Sequence, residues 1–168
     1  MNYSIYQLDP LLKKLFFMIV LTLSVGVLCG LGYLYHTTNM TAKGTVVRFN
    51  GSQPLASDDE FDIPTEYPKP LGELLLTTHT HILSFSLIFT VMGVLFYGST
   101  LIHGKWKLLL ITEPFVSTLL TFGSLWGVRF VSANFVYVTI ISATLMYMSF
   151  FIMATAIIAE LLFKKQST

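Results

Sequence analysis

The sequence predicts an all-α membrane protein, built as a bundle of four transmembrane helices. Hydrophobic residues make up 54% of the 168 residues and charged residues only 11%, whereas about a quarter of the residues in a soluble domain are charged. Four stretches each contain the roughly 20 successive apolar residues that cross a bilayer as a helix. A single integral membrane domain over residues 1–168 follows, with spans at about 11–36, 71–99, 106–129 and 134–163.

The basic residues predict the orientation of these helices. Lysine and arginine accumulate in the short connections on the cytoplasmic side of a membrane protein. Six lysines precede span 1, join spans 2 and 3, or follow span 4: Lys13, Lys14, Lys105, Lys107, Lys164 and Lys165. Both termini are therefore predicted to be inside the cell (N-in/C-in), with one outer loop of 34 residues at 37–70.

The outer loop contains a pattern that favours a short β-strand. The segment Thr45–Phe49 is rich in β-branched residues, and Asn50-Gly51 directly after it is a turn signal. The acidic cluster Ser57–Asp62 is typical of a solvated loop. Pro70 marks the predicted start of the second transmembrane helix, which places Glu73 in its first turn.

Histidines at the outer ends of the helices form the candidate site. The chain has four histidines, and His36, His79 and His81 follow span 1 or open span 2. A helix rise of ~1.5 Å per residue places His36, His81 and Arg129 about 31–33 Å above the inner ends of their spans. All three reach the outer edge of a hydrocarbon core of ~30 Å. Because residues two apart on a helix point about 200° apart, His79 and His81 cannot both bind one central ion.

Three interpretations of this cluster stay open. In the first, His36 and His81 on facing helices hold a b-type haem, and Gly32 leaves room for the flat ring. Arg129 then lies near a propionate, and His79 orients the ligand. In the second, the imidazoles bind copper or another transition metal at the outer face. In the third, the histidines cap helix ends in an accessory subunit that holds no cofactor.

Span 3 carries a carboxylate inside the membrane. A polar row follows one helix face: Glu113, Ser117, Thr121 and Ser124. This row is predicted to face the bundle, and the opposite row is predicted to face lipid or a bound ring: Phe115, Leu119, Phe122 and Trp126. Intramembrane carboxylates are costly and commonly functional, so Glu113 is a proton-relay candidate. A protonated Glu113 that only satisfies a packing partner is the alternative.

Three segments of the chain also carry a family resemblance. They are Lys-Gly-Thr-Val-Val-Arg-Phe-Asn-Gly at 43–51, Thr-His-Thr-His-Ile-Leu-Ser at 78–84 and Ser-Leu-Trp-Gly-Val-Arg-Phe at 124–130. Together they resemble a family of small, uncharacterised bacterial four-helix inner-membrane proteins with a T-H-x-H motif at the start of the second helix. The resemblance covers most of the chain. It implies a bacterial inner membrane, with the 37–70 loop in the periplasm, and no established activity.

These features predict a non-catalytic subunit that binds haem b near the periplasmic face and serves electron transfer within a respiratory-type complex. An accessory subunit without a cofactor and a copper-binding membrane protein are the alternatives. The expected partners are the lipid bilayer, other membrane or periplasmic subunits, and a quinone. A net charge of +1 gives no reason to expect nucleic acid as a partner. The sequence has no catalytic triad or phosphate loop, so it does not predict an enzyme.

Overall fold

The computed structural model describes residues 4–52 and 66–164, and the regular elements within those two ranges are all helices. A short 3-10 turn at Ile5–Gln7 precedes five α-helices. These are α1 (Pro10–Thr38), α2 (Ala42–Asn50), α3 (Leu71–Tyr97), α4 (Gly104–Phe130) and α5 (Phe135–Phe163). The four long helices are each long and apolar enough to cross a membrane. The predicted fold class, an all-α protein with four membrane spans, is confirmed. The acidic cluster Ser57–Asp62 lies outside the described residues.

Local signals in the sequence determine where α1 and α3 begin. The Asp9 side chain caps α1 by accepting hydrogen bonds from the backbone N–H groups of Leu11 and Leu12, at 2.8 and 3.2 Å. Pro10, whose fixed backbone angle suits a first turn, follows the cap. Helix α3 begins directly after Pro70, as the sequence predicts.

The segment predicted to be a strand is instead the helix α2. Thr41 caps it by accepting a hydrogen bond from the backbone N–H of Gly44 at 2.9 Å. Ala42, Val46 and Phe49 then lie on one helix face and pack against a hydrophobic cluster at one end of the bundle. The strand prediction is wrong because burial of this face outweighs the local preference of β-branched residues for extended backbone.

Helices α4 and α5 pack most closely, and they meet along the polar row of α4. Four side-chain hydrogen bonds cross this interface: Ser149 to Glu113 at 2.6 Å, Thr118 to Met146 at 3.3 Å, Thr121 with Ser142 at 2.8 Å, and Ser124 with Thr139 at 2.7 Å. The row therefore faces the bundle, as predicted. Each polar group finds a partner within the protein, which the absence of water in a bilayer core requires.

The aromatic side of α4 faces α3 rather than lipid. Phe122 is only 7% exposed, and its ring centroid lies 5.0 Å from that of His81. The indole N–H of Trp126 donates to the hydroxyl of Thr78 at 2.9 Å. The prediction of a lipid-facing row is wrong for these two rings because α3 packs against them. Leu119 of the same row is exposed.

Helix α1 is the least packed of the four long helices. Of its 29 residues, Val20, Val27 and Thr38 are the buried ones. It rests against α5 and meets α3 at few positions. Ahead of it, the backbone N–H of Ile5 donates to the carbonyl oxygen of Gly98 at 3.0 Å, which fastens the start of the described chain to the α3–α4 connection.

Glu160 closes the end of the bundle at which α3 turns into α4. Its carboxylate accepts hydrogen bonds from the hydroxyl of Ser99 at 2.6 Å and from the backbone N–H of Thr100 at 2.7 Å. The ammonium of Lys164 lies 4.0 Å from the same carboxylate. Lys107 donates to the carbonyl oxygen of Ser99 at 2.6 Å. The α3–α4 connection is thereby fixed to the end of α5.

Candidate functional site

A cleft of about 200 Å³ lies between α1, α3 and α5. Helix α1 contributes Gly26 and Gly30 to its lining, α3 contributes His81 and Phe85, and α5 contributes Tyr147. The lining is mostly apolar, with a few polar groups that converge on it, as is typical of sites for small molecules. His81 is the predicted site residue that lines this cleft, and its imidazole is the group that could bind a ligand there.

The hydrogen bond made by His81 determines which of its nitrogens is free. Nδ1 lies 2.8 Å from the carbonyl oxygen of Thr77, one turn earlier in α3. A carbonyl oxygen only accepts, so Nδ1 carries the ring proton and the neutral imidazole leaves Nε2 without one. Imidazoles that bind metals are commonly held in this way by a backbone carbonyl at the other nitrogen. The ring also packs at 5.0 Å from Phe122, which limits its rotation.

The α1 wall of the cleft is formed in part by two glycines. A Cβ atom added at Gly26 or Gly30 would meet no heavy atom within 4 Å. The absence of side chains there leaves space beside the α1 backbone, and a flat ring could occupy it. Gly32, the glycine predicted to provide such space, is open as well but does not line the cleft.

His36 lies on a different side of α1 from the cleft. It follows Val27 by nine residues, which at about 100° per residue places the two side chains on opposite sides of the helix. Val27 is buried and lines the cleft, whereas His36, Gly32 and Cys29 are not among the residues that line it. The structure therefore does not bring His36 and His81 together in this cleft.

His79 and Arg129 also lie away from the cleft. His79 is exposed, and the regular helix α3 directs it about 200° from His81, as predicted. The Nε of Arg129 donates to the carbonyl oxygen of Lys69 at 3.3 Å, and its guanidinium lies 5.1 Å from the ring centroid of Phe130. Within the described parts of the chain, no three or more His, Cys, Asp or Glu side chains are grouped to hold a metal ion.

Glu113 lies in the α4–α5 interface, where it is half-buried. One carboxylate oxygen accepts a hydrogen bond from the hydroxyl of Ser149 at 2.6 Å, and the other accepts one from the hydroxyl of Ser117. Both oxygens thus have partners within the bundle. A proton-relay role for Glu113 stays a prediction.

His81 is the one lining residue of the cleft that belongs to the predicted site, and Gly26, Gly30 and Tyr147 are among those that the prediction missed. The spacing of the two glycines is a recognisable signal, because small residues four apart leave one helix face open or able to approach another helix closely. Tyr147 has no comparable signal in the sequence. Its position becomes apparent only once the packing of α5 against α1 and α3 is known.

Comparison with protein families gives one match. The model of a transmembrane helical domain, Aq_1264_TM, matches residues 39–168, more than three quarters of the chain. The matched region begins directly after α1, the least packed of the long helices, and includes α2, α3, α4 and α5. Comparisons with curated proteins and with solved structures give no match.

Proposed function

Since the chain belongs to the Aq_1264_TM family of transmembrane helical domains, we propose that it is a multi-pass subunit that binds a planar redox ring in the α1–α3–α5 cleft. The ring is haem b, with Nε2 of His81 as an axial ligand, and the subunit serves electron transfer in a bacterial inner membrane. The observation that carries this proposal is the hydrogen bond from Nδ1 of His81 to Thr77, which leaves Nε2 free for a metal.

The surroundings of His81 suit a haem on chemical grounds. Neutral imidazole is the common axial ligand of b-type haems, and bundle proteins hold such groups between facing helices. Gly26 and Gly30 leave the α1 wall open, while Phe85 and Tyr147 supply aromatic surface. Because His36 points away from the cleft, this chain supplies one axial ligand rather than the two expected from the sequence.

The size of the cleft favours a second candidate ligand, a quinol. About 200 Å³ is less than the roughly 300–1,000 Å³ of pockets that enclose drug-sized ligands. A haem held by His81 would therefore lie partly outside the cleft, whereas a single-ring head group whose tail lies in lipid would fit within it. Nε2 of His81 would accept a hydrogen bond from the quinol hydroxyl, and Tyr147 could donate to the second oxygen. Both candidates depend on the same free nitrogen.

Titration of the purified full-length protein with haemin tests the assignment. We expect a Soret band that saturates near one haem per chain and that His81→Ala abolishes. Gly30→Leu should also abolish it, because the larger side chain fills the cleft at a position where it meets no other atom. His36→Ala is the matched control, a change of the same kind on the exposed side of α1, and it should leave the band unchanged.

The same variants separate the alternatives. Binding of a short-chain ubiquinol analogue that His81→Ala and Gly30→Leu abolish, in a protein that takes up no haem, would replace haem by quinol in the same cleft. A Soret band that depends on His36 but not on His81 would contradict the proposed cleft. A protein that binds neither ligand would contradict the proposal and leave the copper-binding protein and the accessory subunit as the remaining alternatives.

A further inference from the structure

Three cations lie at the end of the bundle where α2 packs. Arg48 belongs to α2, Lys69 to the connection that precedes α3, and Arg129 to the last turn of α4. Lys69 links the group, because its carbonyl oxygen accepts a hydrogen bond from Nε of Arg129 at 3.3 Å. Its ammonium donates to the hydroxyl of Thr77 at 3.0 Å.

Arg48 and Lys69 are close enough to repel each other. The Lys69 ammonium lies 5.1 Å from the ring centroid of Phe49, the residue that follows Arg48. Burial of the ammonium is the largest cause that lowers the pKa of Lys69, and the positive charge of Arg48 lowers it further. The negative charge of Glu73 opposes both effects. The fold therefore holds like charges together in a partly desolvated place.

No carboxylate of the described chain forms an ion pair with this group. Arg48 donates to the hydroxyl of Tyr33 at 3.3 Å, and the guanidinium of Arg129 packs over Phe130. Within residues 4–52 and 66–164, the one pair of acid and base within 4.0 Å is Glu160–Lys164. The described hydrogen-bond and ring partners of the three cations are hydroxyls, a carbonyl and aromatic rings. Glu73 is the described acid whose charge acts on Lys69, without forming an ion pair.

We propose that Arg48, Lys69 and Arg129 bind the phosphate group of an anionic phospholipid. Guanidinium groups match the geometry of phosphate oxygens. An anion bound here would also relieve the repulsion between Arg48 and Lys69. The cluster lies where α3 begins and α4 ends, at the predicted outer membrane surface. A lysine or arginine near an anionic membrane surface contributes about 1 kcal/mol of attraction to it. Tyr33 and Trp126 near these helix ends are residue types enriched at that surface. This site is separate from the proposed cofactor cleft.

Lipid binding to the full-length protein in nanodiscs tests the proposal. The melting temperature is measured in phosphatidylcholine with increasing fractions of phosphatidylglycerol. We expect phosphatidylglycerol to raise it, with half-saturation about fivefold weaker after Arg48→Gln or Arg129→Gln, as a loss of about 1 kcal/mol per cation implies. Arg48→Lys keeps the charge but loses the guanidinium geometry, so its half-saturation should lie between those of the native protein and Arg48→Gln. Lys43→Gln removes an equal charge from an exposed position of the same helix and is the matched control.

Three outcomes would overturn the proposal. The first is an equal melting temperature in both lipids, and the second is an equal loss of the lipid effect in Lys43→Gln, which would reflect surface charge alone. The third is stabilisation by inorganic phosphate in pure phosphatidylcholine as large as that by phosphatidylglycerol, which would assign the site to a free anion.

Neutralising the acidic cluster Ser57–Asp62 adds a further test. If the chain's own acids occupied the site, neutralising them would lower the melting temperature. In the native protein, phosphatidylglycerol would then have no effect.

Discussion

At the scale of single residues, Gly127 allows α4 and α5 to approach each other where the chain turns between them. A Cβ atom at this position would overlap the Cβ and ring atoms of Phe135, which are held close to the backbone. We expect Gly127→Ala to reduce the free energy of unfolding by about 1–3 kcal/mol, the usual cost of overpacking. Thermal denaturation in detergent measures the change.

Gly123 is the control for this prediction. It lies one turn earlier in α4, and a Cβ there would meet no atom within 4 Å. Gly123→Ala should leave the stability unchanged or raise it slightly, because alanine favours the helix more than glycine does. Equal losses in the two variants would show that backbone freedom, rather than contact with Phe135, matters at Gly127.

The two hydrogen bonds of Glu113 define what Glu113→Gln would report. Glutamine keeps one acceptor oxygen and adds an amide N–H₂ group, from which the hydroxyl of Ser117 or Ser149 can accept a hydrogen bond. We therefore expect normal yield and a melting temperature close to that of the native protein. If Glu113 carries protons, turnover of the assembled complex should slow in this variant, since an amide cannot exchange a proton in the same way. Failure of assembly would argue for a structural charge and against the relay.

His36 and His81 show which part of a site the sequence could predict. The depth of each residue along its helix follows from the rise per residue alone. The direction of a side chain around the helix depends on which face packs, and α1 is apolar on nearly every side. The sequence therefore gave no basis for orienting His36, which lies opposite the buried Val27. His81 was identifiable as a candidate, but its partner Thr77 and the glycine wall emerged only from packing.

At the scale of elements, Glu160 connects the α3–α4 connection to α5. Its carboxylate is 1% exposed and accepts from Ser99 and Thr100. Glu160→Gln should lower the free energy of unfolding by roughly 1.5–3 kcal/mol, because hydrogen bonds to a charged acceptor are lost. Lys164→Gln should cost less than about 1 kcal/mol, since this lysine is substantially exposed and exposed ion pairs contribute little. Comparison of the two melting temperatures tests whether Glu160→Gln destabilises the protein more than Lys164→Gln. A larger loss for Lys164→Gln would show that the ion pair, rather than the hydrogen bonds of Glu160, stabilises this end.

The polar row of α4 and the helix α2 contrast in how well sequence pattern predicts an element. Ser117, Thr121 and Ser124 follow helical spacing within a long apolar span, and this pattern placed them correctly against the bundle. In α2, the β-branched residues favoured a strand locally. The spacing of Ala42, Val46 and Phe49 is a helical signal in the same segment. This signal prevails only because the helix face packs against a hydrophobic cluster, and the sequence does not show that cluster.

At the scale of the whole molecule, the packing divides the bundle unequally. Helices α3, α4 and α5 share most of the side-chain hydrogen bonds between helices and most of the buried side chains. Helix α2 packs across α4 and α5. Helix α1 contributes few buried residues and lies outside the region matched by the family. The cleft exists because α1 packs loosely against its neighbours. The proposed site therefore lies where α1 meets the closely packed helices α3 and α5.

The orientation of the bundle is open to a direct test. The sequence places six lysines before span 1, between spans 2 and 3, and after span 4, which predicts that this end of the bundle faces the cytoplasm. A reporter fused after Thr168 should be active as a cytoplasmic marker, and the same reporter inserted at Asp58 should behave as a periplasmic one. Substituting Lys105 and Lys107 should weaken this preference if the basic residues cause it. A periplasmic reporter at Thr168 would contradict the predicted orientation and would place Arg48, Lys69 and Arg129 on the cytoplasmic side.

A reduced-minus-oxidised absorption spectrum of the protein, purified from its own membrane with its complex intact, tests the central claim most directly. If His81 binds haem b in the cleft, the spectrum contains the Soret and α bands of a b-type haem, and His81→Ala removes them without loss of the assembled complex. The His36→Ala protein keeps both bands. An intact native complex without these bands, or with bands that survive His81→Ala, would contradict haem binding at this site.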